Sequence, residues 1–160
     1  MEKVMKCVGI VKYILIVALL VFIGGLLRNG EVSNSKISKV TENITKSIDM
    51  EKLSESDHRM VKRLYGINAN DYEGVSLYVA GSNMEVEELL IVKLKSTEQA
   101  EAVEEAIKKR LDKQLESFEG YGPEQCKLLN DHVLDVRGNY ILYVVNNKAK
   151  AADKAFQKSL

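Results

Sequence analysis

Residues 13–27 read YILIVALLVFIGGLL, a run without one charged side chain. A segment of this kind is removed, buried or placed in lipid, because water will not hold it extended on a surface. Crossing a hydrocarbon layer of about 30 Å takes about 20 apolar residues in a helix. Extending the run back through Cys7, Val8, Gly9, Ile10 and Val11 supplies that length at the cost of including Lys12. Near a helix end a lysine reaches the headgroups, so that cost is modest. A cleavable signal has a shorter core followed closely by small residues. Here Leu27 and Arg28 occupy the positions where a peptidase needs small side chains, and Ser33 and Ser35 lie well past the core. No cysteine directly follows the core to carry a lipid. The pattern favours a retained anchor, with membrane lipid as the partner of residues 7–27. Lys3, Lys6 and Lys12 precede the run and Arg28 follows it. The expectation is a single-pass protein of the cell membrane with a cytoplasmic N-terminus and an extracellular C-terminal domain.

The chain then divides into a cytoplasmic tip and transmembrane signal-anchor over 1–28, a linker over 29–36 (NGEVSNSK) and an extracytoplasmic domain over 37–160. The whole chain has 23 basic and 23 acidic side chains; removing Lys3, Lys6, Lys12 and Glu2 leaves 20 and 22 beyond residue 27. That balance gives no reason to expect nucleic acid as a partner, since phosphate binding needs a concentrated basic excess. The two cysteines, Cys7 and Cys126, lie on opposite sides of the apolar run. They cannot pair within one chain across a bilayer, and Cys126 in EQCKLL reads as a buried thiol.

Ile37, Val40, Ile44 and Ile48 recur at helical steps. SESDHRMVKRLYG follows as a second helix, with Ser54 and Asp57 spaced like a capping box and Gly66 as the stop. GVSLYVAG alternates as a half-buried strand, while ELLIVKLK is apolar on both sides and so interior to a sheet. Ser96 with Gln99 predicts the start of a long helix whose inner face is Ala100, Val103, Ile107, Leu111, Leu115 and Phe118. Glu104–Lys108 and Glu105–Lys109 are i,i+4 pairs, so the charge run is a solvated face. Pro123 opens a short helix to Leu129. VLDVR and YILYVV flank Gly138–Asn139, a sequence suited to a type II′ hairpin. Asn146 or Asn147 then caps a final helix with Ala152, Ala155, Phe156 and Leu160 inside. The expected fold class is α+β: after the transmembrane helix, a four-stranded, mostly antiparallel sheet with helices packed on one face (α-α-β-β-α-β-β-α).

LYGIN, ELLIVKLKSTEQAEAV, KKRLDKQLESFEGYGPEQCKLL and RGNYILYVV, in this order, resemble a bacterial family found mainly in Firmicutes. Its members are membrane-anchored or lipid-anchored extracytoplasmic domains of unknown function. The resemblance covers roughly residues 40–160 and rests on Tyr65–Gly66, Ser96, Gln114, Phe118, Tyr121, Pro123 and Gly138–Tyr140. It implies a location at the surface of a Gram-positive cell and transfers no catalytic residue.

Chemistry-bearing motifs are sparse. His58 and His132 each follow an aspartate, and two Asp-His pairs meeting in space would suit Zn²⁺ or Mn²⁺. Their spacing does not support it, and neither a metal nor any other cofactor is expected. Glu85, Glu87 and Glu88 read as a solvated acidic edge around a turn. No Gly-rich phosphate loop and no nucleophile elbow occurs. With helices on one sheet face only, Tyr78 and Tyr143 become the candidate partner-binding surface on the other. The expected function is a non-catalytic, membrane-anchored binding module whose partner is an envelope protein or the cell wall. The rivals are an extracytoplasmic hydrolase or metal-dependent enzyme using the Asp-His pairs, and an accessory subunit contacting a membrane complex through the apolar helix.

Overall fold

The computed structural model describes residues 15–17, 19 and 32–160. The expected anchor therefore lies outside the described residues, apart from Leu15, Ile16, Val17 and Leu19, which are helical and exposed. No helix among the described residues is long and apolar enough to cross a membrane. From residue 37 the order is α1 (Ile37–Thr45), β1 (Leu53–Ser56), α2 (His58–Tyr65), β2 (Gly74–Ala80), β3 (Glu88–Lys93), α3 (Ala100–Phe118), α4 (Pro123–Asn130), β4 (Val133–Arg137), β5 (Tyr140–Val145) and α5 (Ala149–Ser159). Short 3-10 turns precede β2 at Ala69–Asp71 and α3 at Thr97–Gln99.

The strands form one five-stranded sheet in the order β1-β2-β3-β5-β4, antiparallel at every pairing. The expected sheet had four strands. The missed strand, LSES, has Leu53 as its only apolar residue, so no alternation announces it. It forms because its backbone completes the edge of β2, with Leu53 opposite Ala80 and Ser56 opposite Leu77. The capping assignment moves with it. Ser54 belongs to the strand, and Asp57 is itself the N-cap of α2, accepting from the Met60 N–H at 3.0 Å.

β3 and β5 are buried at every position. A strand with apolar side chains on both faces needs both faces covered. The expectation of helices on one face is therefore corrected to a three-layer arrangement. On one side, α2, α3 and α4 pack Val61, Val103, Ile107 and Leu129 against Leu77, Leu90, Val92, Ile141 and Tyr143. On the other, α1 and α5 pack Val40, Ile44, Ala152 and Phe156 against Leu89, Ile91, Tyr140, Leu142 and Val144. The Phe156 ring meets Tyr140 edge-on, with centroids 6.4 Å apart.

Two local expectations hold where chemistry acts at short range, whereas the N-cap of α5 is Lys148 and not Asn146 or Asn147, Asn146 Oδ1 accepting from the Lys148 N–H just ahead of the helix. Ser96 and Gln99 form a reciprocal capping box ahead of α3. Gly138 has φ +55° while Asn139 does not take a positive φ, as a type II′ turn requires. The expected linker is, from Ser33 on, fastened to the domain. The Ser33 N–H donates to Asn139 Oδ1 at 2.8 Å, Asn139 Nδ2 donates to the Ser33 carbonyl at 3.2 Å, and Ser35 Oγ donates to the Ser159 carbonyl at 2.7 Å. Tyr140 OH donates to the Ser35 carbonyl.

Each layer should be indispensable. Phe156→Ala on one face is expected to cost about 3–5 kcal/mol, and Ile107→Ala on the other about 2–5 kcal/mol. Urea denaturation of the full chain in detergent micelles checks this; a loss under about 1 kcal/mol for either variant contradicts a doubly covered sheet.

Candidate functional site

Glu88 opens β3 and lies on the same sheet face as Leu90 and Val92, beneath α2 and α3. Its side chain is 1% exposed. An isolated carboxylate at such depth is untenable, so donors must surround it. Tyr65, the last residue of α2, donates its hydroxyl to Glu88 Oε1. Gly66, at φ +74°, ends the helix there and leaves Tyr65 facing inward. Arg110 and Gln114 stand one turn apart on α3 and so share a face. Arg110 Nη2 donates to Glu88 Oε2 at 2.8 Å, with Nε at 3.3 Å from the same oxygen. Gln114 Nε2 lies 3.4 Å from Oε2.

Burial disfavours the charge on Arg110, but the hydrogen bonds and charge of Glu88 outweigh it and hold the guanidinium above its ordinary pKa. Burial, then the Glu88 charge, push the Tyr65 hydroxyl far above the phenol range, so it stays a donor. Tyr143 is raised for the same two reasons and packs edge-on against Tyr65 at 6.5 Å. Among the described residues, Gln114 Oε1 and Tyr143 OH are buried without a hydrogen-bond partner.

A cleft of about 410 Å³ opens over this cluster, between α2, α3 and the β2–β3 connection. Glu88 and Gln114 lie at its base, and Met60, Leu64, Val79 and Phe118 supply apolar wall. Arg63 and Lys113 stand exposed at its rim. Neither forms an ion pair among the described residues. Glu85 and Glu87 on the opposite rim both meet Lys52, at 2.9 and 3.6 Å. The expected solvated acidic edge is thus corrected: two of its carboxylates pair with Lys52, and the third is the buried centre of the site.

The tyrosine surface also needs correction. Tyr143 is fully buried under α2, α3 and α4, while Tyr78 is half-buried on the other face, opposite Glu55 and Leu89. With both faces covered, the two rings share no surface. His58 and His132 flank β1 and β4, the two edges of the sheet. Four strand spacings separate those edges, about 19 Å. His132 Nδ1 instead sits 2.6 Å from the Leu129 carbonyl. The Asp-His pairs therefore do not converge, and no cluster of three potential metal ligands occurs among the described residues. Cys126 is half-buried against the α2–α4 core, and Cys7 lies outside the described residues.

A second acidic contact joins β4 to α5. Asp153 has its pKa raised by burial and by the neighbouring Asp135 carboxyl, although the Gln157 bond at 2.9 Å opposes this. A folded-state pKa above the unfolded value favours folding at low pH and loses that contribution as pH rises through the folded value. Asp153→Asn should therefore raise the urea midpoint at pH 7, with the gain shrinking toward pH 4; a gain independent of pH contradicts the assignment. For the central cluster, Glu88→Gln should cost about 3–5 kcal/mol by leaving Arg110 buried without its counterion. Glu88→Leu combined with Arg110→Met should cost less than the sum of the single changes in a double-mutant cycle, and additivity would mean the two are not coupled.

No curated protein and no solved structure matches the chain. A family model described as a domain of unknown function, DUF4358, matches residues 46–146, from the end of α1 through the last residue of β5 and the asparagine after it. The match takes in Tyr65, Glu88, Arg110 and Gln114 together with all five strands, and on that extent the chain belongs to the DUF4358 family.

Proposed function

We propose that this protein is a membrane-tethered, non-catalytic binding module of a bacterial cell envelope, anchored by residues 7–27 with its domain outside the membrane. The cleft above Glu88 would engage an envelope protein or a cell-wall component. The observation that carries this reading is the polarity of the sheet. Ser33–Ser35 are fastened beside Asn139 and Tyr140, where β3 ends at Lys93. Glu88 is at the other end of β3, about 17 Å away at the rise of a strand. Fewer than six residues separate Ser33 from Arg28. Fully extended, they reach about 20 Å at most. An anchored chain would then hold one end of the sheet close to lipid and turn the cleft away from it.

Binding is favoured over catalysis by the state of Glu88. Its carboxylate accepts from Tyr65, Arg110 and Gln114. A carboxylate held by fixed donors on both oxygens is an ordered electrostatic base for a site, and its engagement with Arg110 and Tyr65 makes it a poor abstractor of protons.

Energy transfer to a lipid-headgroup acceptor tests the geometry. The full chain, with Cys7 and Cys126 replaced by serine, would be placed in nanodiscs with a donor dye on Thr97→Cys or on Asn83→Cys. Transfer should be strong from position 97, near the strap, and weaker from position 83, at the cleft. Equal or reversed transfer overturns the orientation. Labelling of Asn83→Cys by a membrane-impermeant maleimide on intact cells is expected; labelling only after permeabilisation overturns the outward placement.

A further inference from the structure

We infer that the cleft over Glu88 receives the carboxyl terminus of a short peptide, an inference that rests on the binding reading above and specifies its ligand. Three features of the cleft match three groups of such a ligand. Arg63 on α2 and Lys113 on α3 both stand at the rim, without carboxylate partners among the described residues. Two unneutralised cations beside a concave surface favour an anion, and arginine suits a planar carboxylate in particular. At the base, Gln114 is 6% exposed, and its Oε1 lacks a donor. Its amide orientation is fixed by Glu88, because turning the amide over would set Oε1 against the carboxylate that Nε2 now faces. The base therefore holds a covered, unmatched acceptor, which an N–H such as a peptide amide supplies would satisfy once the side chains over it shift. Between rim and base, Met60, Leu64, Val79 and Phe118 give apolar wall for a side chain.

The charge distribution points to the same class. Arg110 is engaged by Glu88, and Lys52 by Glu85 and Glu87, so the cations left without partners are those at the rim. A polyanion would meet the carboxylates of Glu85 and Glu87 on the far side of the cleft. A neutral ligand would leave Arg63 and Lys113 unused. A single carboxylate beside an amide and an apolar group satisfies every surface. The volume, about 410 Å³, falls in the range of sites that enclose small ligands.

The test uses the full chain in nanodiscs with isotope-labelled backbone amides and two probes, N-acetyl-Ala-Leu with a free carboxylate and the same compound as its C-terminal amide. The free acid should shift the resonances of residues 63, 113 and 114 in a saturable way. The C-terminal amide should bind at least tenfold more weakly. Arg63→Met with Lys113→Met, both exposed and outside the Glu88 contacts, should weaken the acid at least tenfold while leaving the spectrum of the core unchanged. Gln114→Met, which keeps the side-chain length and removes the acceptor, should also weaken it. Equal affinity for acid and amide, or shifts confined to another surface, overturns the inference. Saturable shifts at the same residues with a neutral muropeptide-free glycan fragment, and none with either peptide, would overturn the peptide assignment while leaving the cleft a binding site. Persistence of the acid's affinity in the double variant shows that the rim cations are not the receptor and likewise overturns it.

Discussion

The two central strands set everything else in this fold. β3 and β5 carry apolar side chains on both faces, and the sheet is stable only when both faces are removed from water. Five helices meet that requirement, with α1 and α5 on one side and α2, α3 and α4 on the other. The order of strands follows from the same need. β5 inserts between β3 and β4, so the α3–α4 connection crosses over it and lays the longest helix across the middle of the sheet. This crossing brings Arg110 and Gln114 over the first residue of β3.

Glu88 is the exception inside that apolar frame. A buried ion pair adds little net stability compared with apolar residues of similar volume, because desolvation offsets the attraction. Its effect is instead to fix geometry. Arg110, Tyr65 and Gln114 reach it from two different helices, so the carboxylate sets the spacing of α2 and α3 at the end where the cleft opens. Substituting a hydrocarbon there would fill space without that constraint. The unpaired Gln114 Oε1 and Tyr143 hydroxyl mark the same place as one where polar satisfaction is incomplete. Buried groups without a partner cost stability, and both of these belong to side chains that adjoin Glu88 or its donor Tyr65.

The sequence discloses features governed by neighbours along the chain. The capping box at Ser96 and Gln99, the turn at Gly138–Asn139 and the apolar faces of α3 and α5 each depend on residues within a few positions. It conceals features made by distant partners. LSES becomes a strand only because β2 offers an unpaired edge. Glu88 looks like part of an acidic turn with Glu85 and Glu87, and its burial depends on Tyr65, 23 residues before it, and Arg110, 22 after. One signal was available in advance: the alternation of ELLIVKLK puts Glu88 in phase with Leu90 and Val92. A glutamate in phase with a buried row must find partners. The double-sided strand likewise implied two covered faces.

The docked segment ahead of α1 gives the domain a fixed polarity. Ser33 and Ser35 bond to Asn139, Ser159 and Leu160, joining the first described stretch before α1 to the β4–β5 turn and to the end of α5. A flexible stalk would leave a tethered domain free to present any surface. Here the part of the expected linker from Ser33 on is held by contacts to the domain. The sheet then acts as a rigid spacer: β3 starts at the cleft and ends at the strap, and its intermediate residues are immobilised in the core. Pull on the segment before Ser33 would be borne by Asn139 and Tyr140, at the head of β5, and carried by the strand that flanks β3. The cleft lies at the far end of that same pair of strands, so its place relative to the docked segment is set by the backbone of β3 and β5.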